Sequence, residues 1–559
     1  MADLNILMNC SVQDTFLYNL TNYELNVTTT KSEYTTKAVG FGTLTGIFVS
    51  LIINIILSLL YSRGRNLILT IQFISKKVLI KSVVIIFIVV LSPVISVLLI
   101  IAVMYKFFCL RLIKQKDKYF VSFLDSFDVF WNLEGDSVIN ILGVIESNSS
   151  EALVERIKDK LQNLIPNEST DKIFYRRNED YGFYYWRKYN IIDVNEYVQI
   201  IELPQKYEYD VVDIEDLMSD LANQSLPYND EGLFKIIITK QRIGNYNDER
   251  GEYAIIFRIH HSVGDGVALI EFLCESLADN TNSQTAKTFI MPKIRYDTPS
   301  DLINMIRKLC TIPLCIVDLI LRKADKNALH GPSLVGMKIF KWTKSDENIL
   351  TMVKEIKDNV SQLNFSDIIV AALSGGLNSY FIKTMAPVPE DVAVIIPARV
   401  PQTQLSESDK KHFTNDFTVS ILDVPVKTGN LNDIKERFNN LRNGVEFQIN
   451  HYFLKLGNIL PKQILEPMFY SNHATIVLSS MPGPECLSIC GGNVLKRLVF
   501  FVPHKGTTGL GVTAFCYGGV LRLAASADKA LVSTSEHLNF ILDGMLDEIR
   551  RLHAQYVRK

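Results

Sequence analysis

The chain has 559 residues, more than one compact core usually holds, so two or more domains are expected. Its 58 Lys and Arg residues nearly balance 60 Asp and Glu residues, which argues against a nucleic-acid partner. The eight cysteines are scattered without a CxxC pair, so their spacing fits neither a zinc site nor a dense disulfide framework. We therefore expect no bound metal and a reducing environment for the main body.

A polar arm, residues 1–37, precedes two long apolar runs. Residues 39–61 and 82–105 carry no charged side chain, and each run is long enough to cross the roughly 30 Å hydrocarbon core of a bilayer. A large protein can also bury an apolar helix, but basic residues flank both runs. The sequence therefore predicts a pair of transmembrane helices within residues 38–108 and an integral membrane protein of the endoplasmic reticulum or plasma membrane.

The direction of this pair is open. Five basic residues lie between the runs and a comparable number follow the second run, so the positive-inside rule does not decide the orientation. Sequons at Asn9, Asn19 and Asn26 favour a luminal arm. Two spans place the arm and the main body on the same side of the membrane.

The body mixes strand-like and helical segments in two stretches, residues 119–298 and 341–559. In the first, DSVINILGVIES, GLFKIIITKQR and YAIIFRIHH predict strands, whereas EALVERIKDKLQNLI predicts a helix that ends before Pro166. In the second, SDIIVAALSGGLNSYF predicts a helix and GLGVTAFCYGGVLRLAASAD predicts a hairpin that turns at Gly518 and Gly519. Alternation of this kind indicates an α/β or mixed-sheet domain in each stretch.

Residues 299–340 form an apolar to amphipathic connector between these domains. Its stretch SDLINMIRKLCTIPLCIVDLILRKAD predicts helix that Pro313 breaks. The connector could pack across both domains or lie on a membrane surface, and we favour the first.

The stretch FRIHHSVGDGVALIEFL, residues 257–273, carries the candidate chemistry. Side chains alternate between the two faces of a strand, so His260 and His261 point in opposite directions and are poorly placed to bind one metal together. Burial at the end of an interior strand keeps an imidazole neutral near pH 7, and a neutral imidazole within reach of a hydroxyl is a general base. A lone histidine at a strand end is more often structural than catalytic, but a general base that acts without a covalent nucleophile fits this stretch best. The resemblance described below implies that His261 is this base and that His260 supports it.

The residues after the histidine pair predict a tight turn and then a helix. Asp265 can pair with an arginine or cap that helix, and Gly266 lets the backbone turn closely. A metal site is disfavoured because no cluster with ligand spacing lies nearby. A serine hydrolase is disfavoured because no G-x-S-x-G elbow is present.

HHSVGDG resembles the HHxxxDG motif of the wax ester synthase/diacylglycerol acyltransferase (WS/DGAT) family, within the wider HxxxD superfamily of CoA-dependent acyltransferases. The similarity continues over roughly residues 119–555, in the same order as in the family. It includes LDSFDVFWNLEGD, NFSDIIVAALSGGLNSYF, VIIPARVP, SSMPGPECLSICGGNVL and FCYGGVLRLAASAD. The sequence departs from the family where Ser366-Asp367 replaces an Asn-Asp pair and where SLPYNDEGLFKI replaces a Pro-Leu-Trp segment.

The resemblance implies an α/β fold of two CoA-dependent-acyltransferase-like domains, each a mixed sheet with flanking helices. A tunnel would run between the domains, with His261 near its middle. Acyl-CoA, a co-substrate and not a cofactor, would enter from one end, and a long-chain alcohol or diacylglycerol from the other. His261 would take the alcohol proton, so that wax ester or triacylglycerol forms without an acyl-enzyme. Asp265 would hold the loop.

The resemblance also suggests less direct candidates. Asn364, Ser366 or Asp367 would contact substrate or the oxyanion, and Lys496 and Arg497 would contact CoA phosphate, although a solvated basic pair is the simpler interpretation. Because acyl-CoA is mainly cytosolic, we expect a cytosolic body. Two alternatives stay open: a lipid-binding protein without turnover, and an acyltransferase for another acceptor. The sequence does not give the oligomeric state.

Overall fold

A computed structural model describes residues 67–134, 137–165, 170–226, 231–279, 302–344, 347–399, 413–427 and 430–557. Side chains are described within these ranges except at residues 67–81, 302–310 and 347. The predicted polar arm, its sequons and the first predicted span, residues 39–61, lie outside the described residues.

The helices of the described chain alternate with strands through most of its length, as the sequence predicts. In chain order they are α1 (Leu67–Lys116), α2 (Ser126–Phe130), α3 (Ser150–Leu164), α4 (Val211–Ala222), α5 (Gly266–Phe272), α6 (Leu302–Ile320), α7 (Glu347–Asn359), α8 (Phe365–Lys383), α9 (Leu431–Asn443), α10 (Glu446–Leu454), α11 (Lys462–Phe469) and α12 (Ser535–Tyr556). Capping residues define the N-termini of several helices. At the first turn of α3, for example, the Ser149 side chain accepts a hydrogen bond from the backbone N–H of Ala152.

The strands form two mixed six-stranded sheets and one small three-stranded sheet. They are β1 (Phe120–Phe123), β2 (Val138–Ser147), β3 (Arg176–Asp180), β4 (Phe183–Arg187), β5 (Val198–Ile201), β6 (Phe234–Thr239), β7 (Gly251–His260), β8 (Lys338–Trp342), β9 (Asp391–Arg399), β10 (Phe417–Pro425), β11 (Ile476–Met481), β12 (Leu487–Ile489), β13 (Asn493–Phe501), β14 (Leu510–Tyr517) and β15 (Val520–Asp528).

The first large sheet has the order β12-β13-β2-β7-β6-β5, and the second has the order β10-β9-β11-β14-β15-β8. Each contains parallel and antiparallel neighbours: β5 runs parallel to β6, and β11 runs parallel to both β9 and β14. The small sheet has the order β1-β4-β3. The predicted α/β class with two mixed sheets is confirmed.

Strands β12 and β13 cross the boundary that the sequence predicts at residue 341. They follow that boundary in sequence but pair in the first sheet, where β13 runs antiparallel to β2 from Val494↔Glu146 to Phe501↔Asn140. Their alternating apolar residues are equally compatible with either sheet, so a local pattern could not show which strand they join. Two strands from the second half of the body therefore form part of the first sheet.

Two apolar layers cover the faces of β7, as its alternation predicts. Tyr253, Ile255, Phe257 and Ile259 belong to one core cluster. Ala254 and Ile256 belong to another, which also contains Phe340 of β8 and Phe501 of β13. Since β8 lies in the second sheet, this second cluster joins the two sheets.

Helix α1 contains the second predicted span, residues 82–105, within one continuous 50-residue helix. The predicted loop between the spans is therefore helical from Leu67 onward. Most of its large apolar side chains between Val83 and Phe108 are exposed, whereas Cys109 and Ile113 are fully buried. By length and composition alone this segment could cross a membrane; α8 passes the same test but is mostly buried in the protein core.

The described residues divide into two compact units. One comprises those up to Val89 together with Asp301–Val317, and the other comprises Val90–Ser300 and Asp318–Lys559. Within the first unit, Leu314 and Val317 of α6 pack with Ile85 of α1. Helix α6 continues through Pro313, so the predicted break there is wrong. The proline removes one backbone hydrogen bond, and the packing of Leu314 and Val317 stabilises the helix after it.

We expect the Phe501→Ala substitution to lower the free energy of unfolding by about 3–5 kcal/mol, because Phe501 is fully buried and packs edge-on against Phe340 at a ring distance of 4.8 Å. The half-exposed Phe540 of α12 provides a control, and its substitution by Ala is expected to cost less. Denaturant unfolding of both variants, followed by intrinsic fluorescence, checks this. An equal effect of the two substitutions would contradict a core that joins the sheets at β13.

Candidate active site

His261 follows the last residue of β7, where the chain leaves the first sheet. Its backbone N–H donates to the carbonyl oxygen of Ser137 at 2.7 Å, which continues the pairing of β7 with β2 by one residue. The imidazole stacks on the Trp131 indole with ring centroids 3.7 Å apart and an interplanar angle of 14°. Backbone pairing and ring stacking together fix the plane of the imidazole.

Asn415, from the second half of the body, contacts the Nδ1 edge of the His261 ring. Its Nδ2 group donates to the Asp128 Oδ1 atom at 2.8 Å and to the His261 carbonyl oxygen at 2.8 Å. Both partners are oxygens that only accept, so the amide cannot be reversed without losing both hydrogen bonds. The Asn415 Oδ1 atom therefore faces His261 Nδ1, 3.1 Å away.

This orientation decides which nitrogen of His261 carries the proton. Since Asn415 Oδ1 can only accept, His261 Nδ1–H must donate to it. In the neutral ring Nε2 then has a free lone pair. Burial lowers the pKa of His261 to about 4, so the ring is neutral at pH 7 and Nε2 is available as a base.

The Asp128 carboxylate anchors this arrangement from α2. It is fully buried, and burial raises its pKa to about 6. Lys172 Nζ lies 2.7 Å from Asp128 Oδ2 and favours the ionised form. At pH 7 Asp128 is therefore mainly a carboxylate, which is the acceptor that Asn415 Nδ2 requires.

Asp265 caps α5, one of the two roles that the sequence allows. Its Oδ1 atom accepts from the backbone N–H groups of Val267 at 3.1 Å and Ala268 at 3.0 Å. Its Oδ2 atom accepts from the Asp416 N–H at 3.2 Å, and its own N–H donates to the Thr414 carbonyl at 3.3 Å. Asp265 thus holds the segment that presents Asn415 to His261.

His260 and Gly266 flank the loop that joins β7 to α5, and each contributes to its packing. Gly266 does not adopt a positive φ; a Cβ atom there would lie 2.8 Å from Cε of Met481, so close approach and not a turn explains the glycine. His260 is fully buried, and its Nδ1 atom lies 2.7 Å from the Ser262 hydroxyl. Burial lowers the pKa of His260 well below its ordinary value, so the ring is neutral. Its contact with Ser262 stabilises the residue that follows His261.

The predicted oxyanion candidates lie at the start of α8, and no described contact joins them to His261. The Asn364 backbone N–H donates to Asp367 Oδ2 at 2.8 Å, which caps the helix. Asp367 is fully buried and pairs with Arg442 of α9, whose guanidinium also lies 3.3 Å from the Ser366 hydroxyl. These contacts assign Asn364, Ser366 and Asp367 to holding α8 and α9 together.

Lys496 and Arg497, the predicted CoA phosphate contacts, are paired with acidic side chains. Lys496 forms an ion pair with Glu146, and Arg497 forms one with Glu252 at 2.7 Å. Glu146 and Glu252 face each other in the β2–β7 register, eight residues along β7 from His260, which corresponds to about 26 Å. Both predicted cations are therefore paired with carboxylates, which disfavours phosphate binding there.

Sequence reasoning did not single out Asp128, Trp131 or Asn415. The first two occur in LDSFDVFWNLEGD, where a buried acid and a tryptophan within one short helical segment are a usable signal. Asn415 lies in FTNDF, where a polar triplet between two phenylalanines is a weaker one. Among the described residues, no group of three or more His, Cys, Asp and Glu side chains could hold a metal ion.

A cavity of about 740 Å³ lies elsewhere, beside α8 and α12. Its lining includes Asn378, Lys427, Glu548 and Arg551 but not His261. It is therefore separate from the candidate site and does not correspond to the predicted tunnel.

Comparison with known folds defines the class of this architecture. The chain is similar to the wax ester synthase/diacylglycerol acyltransferase from Marinobacter aquaeolei VT8, with 14% identity and a TM-score of 0.51; the match covers 78% of this chain and 100% of that chain. It is similar to the TRI3 trichothecene 15-O-acetyltransferase from Fusarium sporotrichioides, with 12% identity and a TM-score of 0.51, over 76% of this chain and 95% of that chain. It is also similar to the first condensation domain of the CDA synthetase, with 12% identity and a TM-score of 0.51, over 78% of this chain and 97% of that chain. The fold is that of CoA-dependent acyltransferases and condensation domains.

Within this class, residues 414–552 match the family model of the WS/DGAT C-terminal domain. This part of the chain is thus similar to the WS/DGAT C-terminal domain, and the resemblance predicted from the motifs is confirmed. The matched segment begins one residue before Asn415, the partner of His261. No sequence among proteins of curated function matches the chain.

The state of His261 can be tested by its reaction with diethyl pyrocarbonate, which modifies only the neutral imidazole. Since burial lowers the pKa to about 4, the ring stays neutral as the pH falls through 6.5, the usual imidazole value. We expect the His261 modification rate, read by peptide mass spectrometry and normalised to a free histidine peptide, to rise relative to that peptide between pH 7 and pH 5. A constant ratio would contradict the lowered pKa.

Proposed function

We propose that the protein is a membrane-anchored O-acyltransferase. It would transfer a fatty acyl group from acyl-CoA to the hydroxyl of a long-chain alcohol or diacylglycerol, giving a wax ester or triacylglycerol. The fold and the WS/DGAT C-terminal domain support acyl transfer. The observation that carries the proposal is the orientation of His261, whose Nδ1–H bonds to Asn415 and whose Nε2 is left as a base.

The reaction follows from a single base. His261 Nε2 takes the hydroxyl proton of the acceptor as its oxygen bonds to the thioester carbonyl carbon. The resulting tetrahedral species breaks its C–S bond, and the imidazolium returns the proton to the sulfur. The products are an ester and the CoA thiol, and His261 is neutral again. Acyl-CoA is a co-substrate, and no cofactor is required by this scheme.

Two groups support the cationic form of His261 during the transfer. Asn415 Oδ1 accepts from Nδ1–H in both protonation states, so the ring does not turn when Nε2 gains a proton. Asp128 lies behind Asn415 and, when ionised, adds a negative charge to the same hydrogen-bonded series. Asp265 is assigned a structural role, since its carboxylate is occupied by three backbone N–H groups.

Membrane attachment is proposed from helix α1. Its large apolar side chains, from Val83 to Phe108, are mostly exposed, which is unfavourable in water and favourable in a bilayer. Long-chain alcohols and diacylglycerol partition into bilayers, so attachment shortens their path to the site. Because acyl-CoA is supplied mainly from the cytosol, we assign the body to the cytosolic side of the endoplasmic reticulum or plasma membrane.

Replacement of His261 by Ala is expected to lower ester synthesis by about 100- to 10,000-fold, since general-base assistance is lost. The assay supplies labelled acyl-CoA to membranes containing the full chain, with long-chain alcohol, diacylglycerol, a short alcohol and an amine as separate acceptors. His537→Ala on α12 is the matched control and should leave the rate unchanged. Normal synthesis by the His261→Ala protein would favour a lipid-binding function, and product with the amine alone would change the acceptor class.

The Asn415→Ala substitution is expected to lower kcat by about 5- to 150-fold, which corresponds to a loss of roughly 1–3 kcal/mol for an unpaired buried group. The KM for acyl-CoA should change little, because Asn415 orients the base and is not expected to bind the thioester. Asn378→Ala, whose amide bonds to the Val426 carbonyl in the second half, is the control. An unchanged kcat for Asn415→Ala would show that the His261 tautomer does not depend on this amide.

A further inference from the structure

Two consecutive short helices of the body carry exposed apolar side chains. Tyr452 and Phe453 of α10, Ile464 and Met468 of α11, and the following Tyr470 form what we term the α10–α11 face. Tyr452 is 68% exposed, Ile464 47% and Tyr470 51%. Leu465 and Phe469 are buried about 100° further around α11, so this helix carries an exposed apolar stripe next to its buried one. Packing against the body accounts for the buried stripe of α11 but not for the exposed one.

The α10–α11 face adjoins the point where helix α1 meets the body. Lys106 Nζ donates to the Asn458 carbonyl at 2.6 Å, in the short turn between α10 and α11. Tyr105 Oη donates to the Tyr181 carbonyl at 3.3 Å, and the backbone N–H of Lys462, at the start of α11, donates to the neighbouring Gly182 carbonyl at 2.8 Å. The exposed apolar part of α1 thus ends beside the exposed apolar residues of α10 and α11.

The composition of the α10–α11 face fits the boundary of a bilayer. Tyrosine is enriched at that boundary because its ring is apolar and its hydroxyl is polar. Lys455 is exposed at the end of α10, and its Nζ atom lies 5.4 Å from the centroid of the Tyr452 ring. A cation at this position suits anionic headgroups. Exposed Glu466 is the opposing charge on the same helix.

Aromatic rings connect this face to the candidate base. Phe453, which is 40% exposed, packs with Phe469 at a centroid distance of 5.0 Å. Phe469 contacts Phe130 at 5.7 Å, and Phe130 contacts Trp131 at 5.1 Å. Trp131 stacks on His261 at 3.7 Å. An apolar series of side chains therefore runs from the exposed face to the imidazole.

We propose that the α10–α11 face lies in the lipid interface and that the acyl acceptor reaches His261 from the bilayer along this aromatic series. The proposal rests on the proposed function and adds the side from which the acceptor comes. Acyl-CoA, which is water-soluble, approaches by another route. Helix α1 then holds the acceptor entrance against the bilayer, through the contacts of Tyr105 and Lys106.

Photolabelling of the unmodified full chain tests the location directly. The protein is reconstituted into phosphatidylcholine vesicles that contain phosphatidylserine and a phospholipid with a diazirine in its acyl chain. After irradiation, peptides are read by mass spectrometry. We expect label on α1 and on residues 446–470, and none on the exposed control residues Ile191 and Tyr207. Label on α1 alone would overturn the proposal, whereas absence of label from α1 would overturn the membrane anchor itself.

A paired substitution tests the acceptor route. Ile464→Glu together with Met468→Glu places two charges on the face, and Ile191→Glu together with Tyr207→Glu is the matched control at exposed apolar sites elsewhere. We expect the first protein to show an apparent KM for vesicle-borne hexadecanol raised about tenfold, with the KM for acyl-CoA unchanged. Equal kinetics of the two proteins, or an equal loss for both substrates, would contradict the proposal. Failure of the unmodified chain to make ester would count against the proposed function, and the photolabelling would still decide the position of the face.

Discussion

The bond from His261 Nδ1–H to Asn415 Oδ1 is the interaction on which the candidate site depends. An imidazole without a partner at Nδ1 could adopt either tautomer, and only one of them leaves Nε2 free to take a proton. The Asn415 amide is itself fixed, because its two hydrogens already bond to oxygens of Asp128 and of the His261 backbone. Three hydrogen bonds, each worth about 1–3 kcal/mol in isolation, thus select one tautomer of His261, because none of them can change without breaking another.

Both halves of the body are needed to build this site. His261 and Asp128 belong to the first half, whereas Asn415 comes from the second. Asp265 accepts a hydrogen bond from Asp416, so the loop after β7 and the segment before β10 hold each other in place. Strand β13 joins the halves a second time by adding to the first sheet. Contacts between the two halves therefore hold the hydrogen-bond partner of the base in position.

Much of this could be predicted from local sequence. The strand, turn and helix of FRIHHSVGDGVALIEFL, the opposite faces of His260 and His261 and the cap at Asp265 all follow from alternation and capping, which depend on neighbours in the chain. The roles assigned to Ser366 and Asp367 and to Lys496 and Arg497 are not supported by their contacts, because a helix cap or an ion pair has the same local pattern as a binding residue. Only the partners, Arg442, Glu146 and Glu252, distinguish the two, and they are distant in sequence.

Asn415 could not be identified in this way, since it lies 154 positions from His261 and its role comes from tertiary packing. The sheet that β12 and β13 enter could not be predicted for a similar reason, because alternation shows that a strand has a buried face but not which sheet it joins. Helix α6 shows the opposite effect. Its proline predicts a break, but packing against α1 stabilises a helix that continues through Pro313.

The most direct measurement of the central claim is the protonation of each His261 nitrogen. A chain labelled with ¹⁵N-histidine can be examined by solid-state NMR in lipid at pH 7, with the His261→Ala protein used to assign the signals. The structure predicts a protonated Nδ1 and an unprotonated Nε2 at residue 261. An unprotonated Nδ1, or a ring protonated at both nitrogens at that pH, would contradict a base held at Nε2 by Asn415.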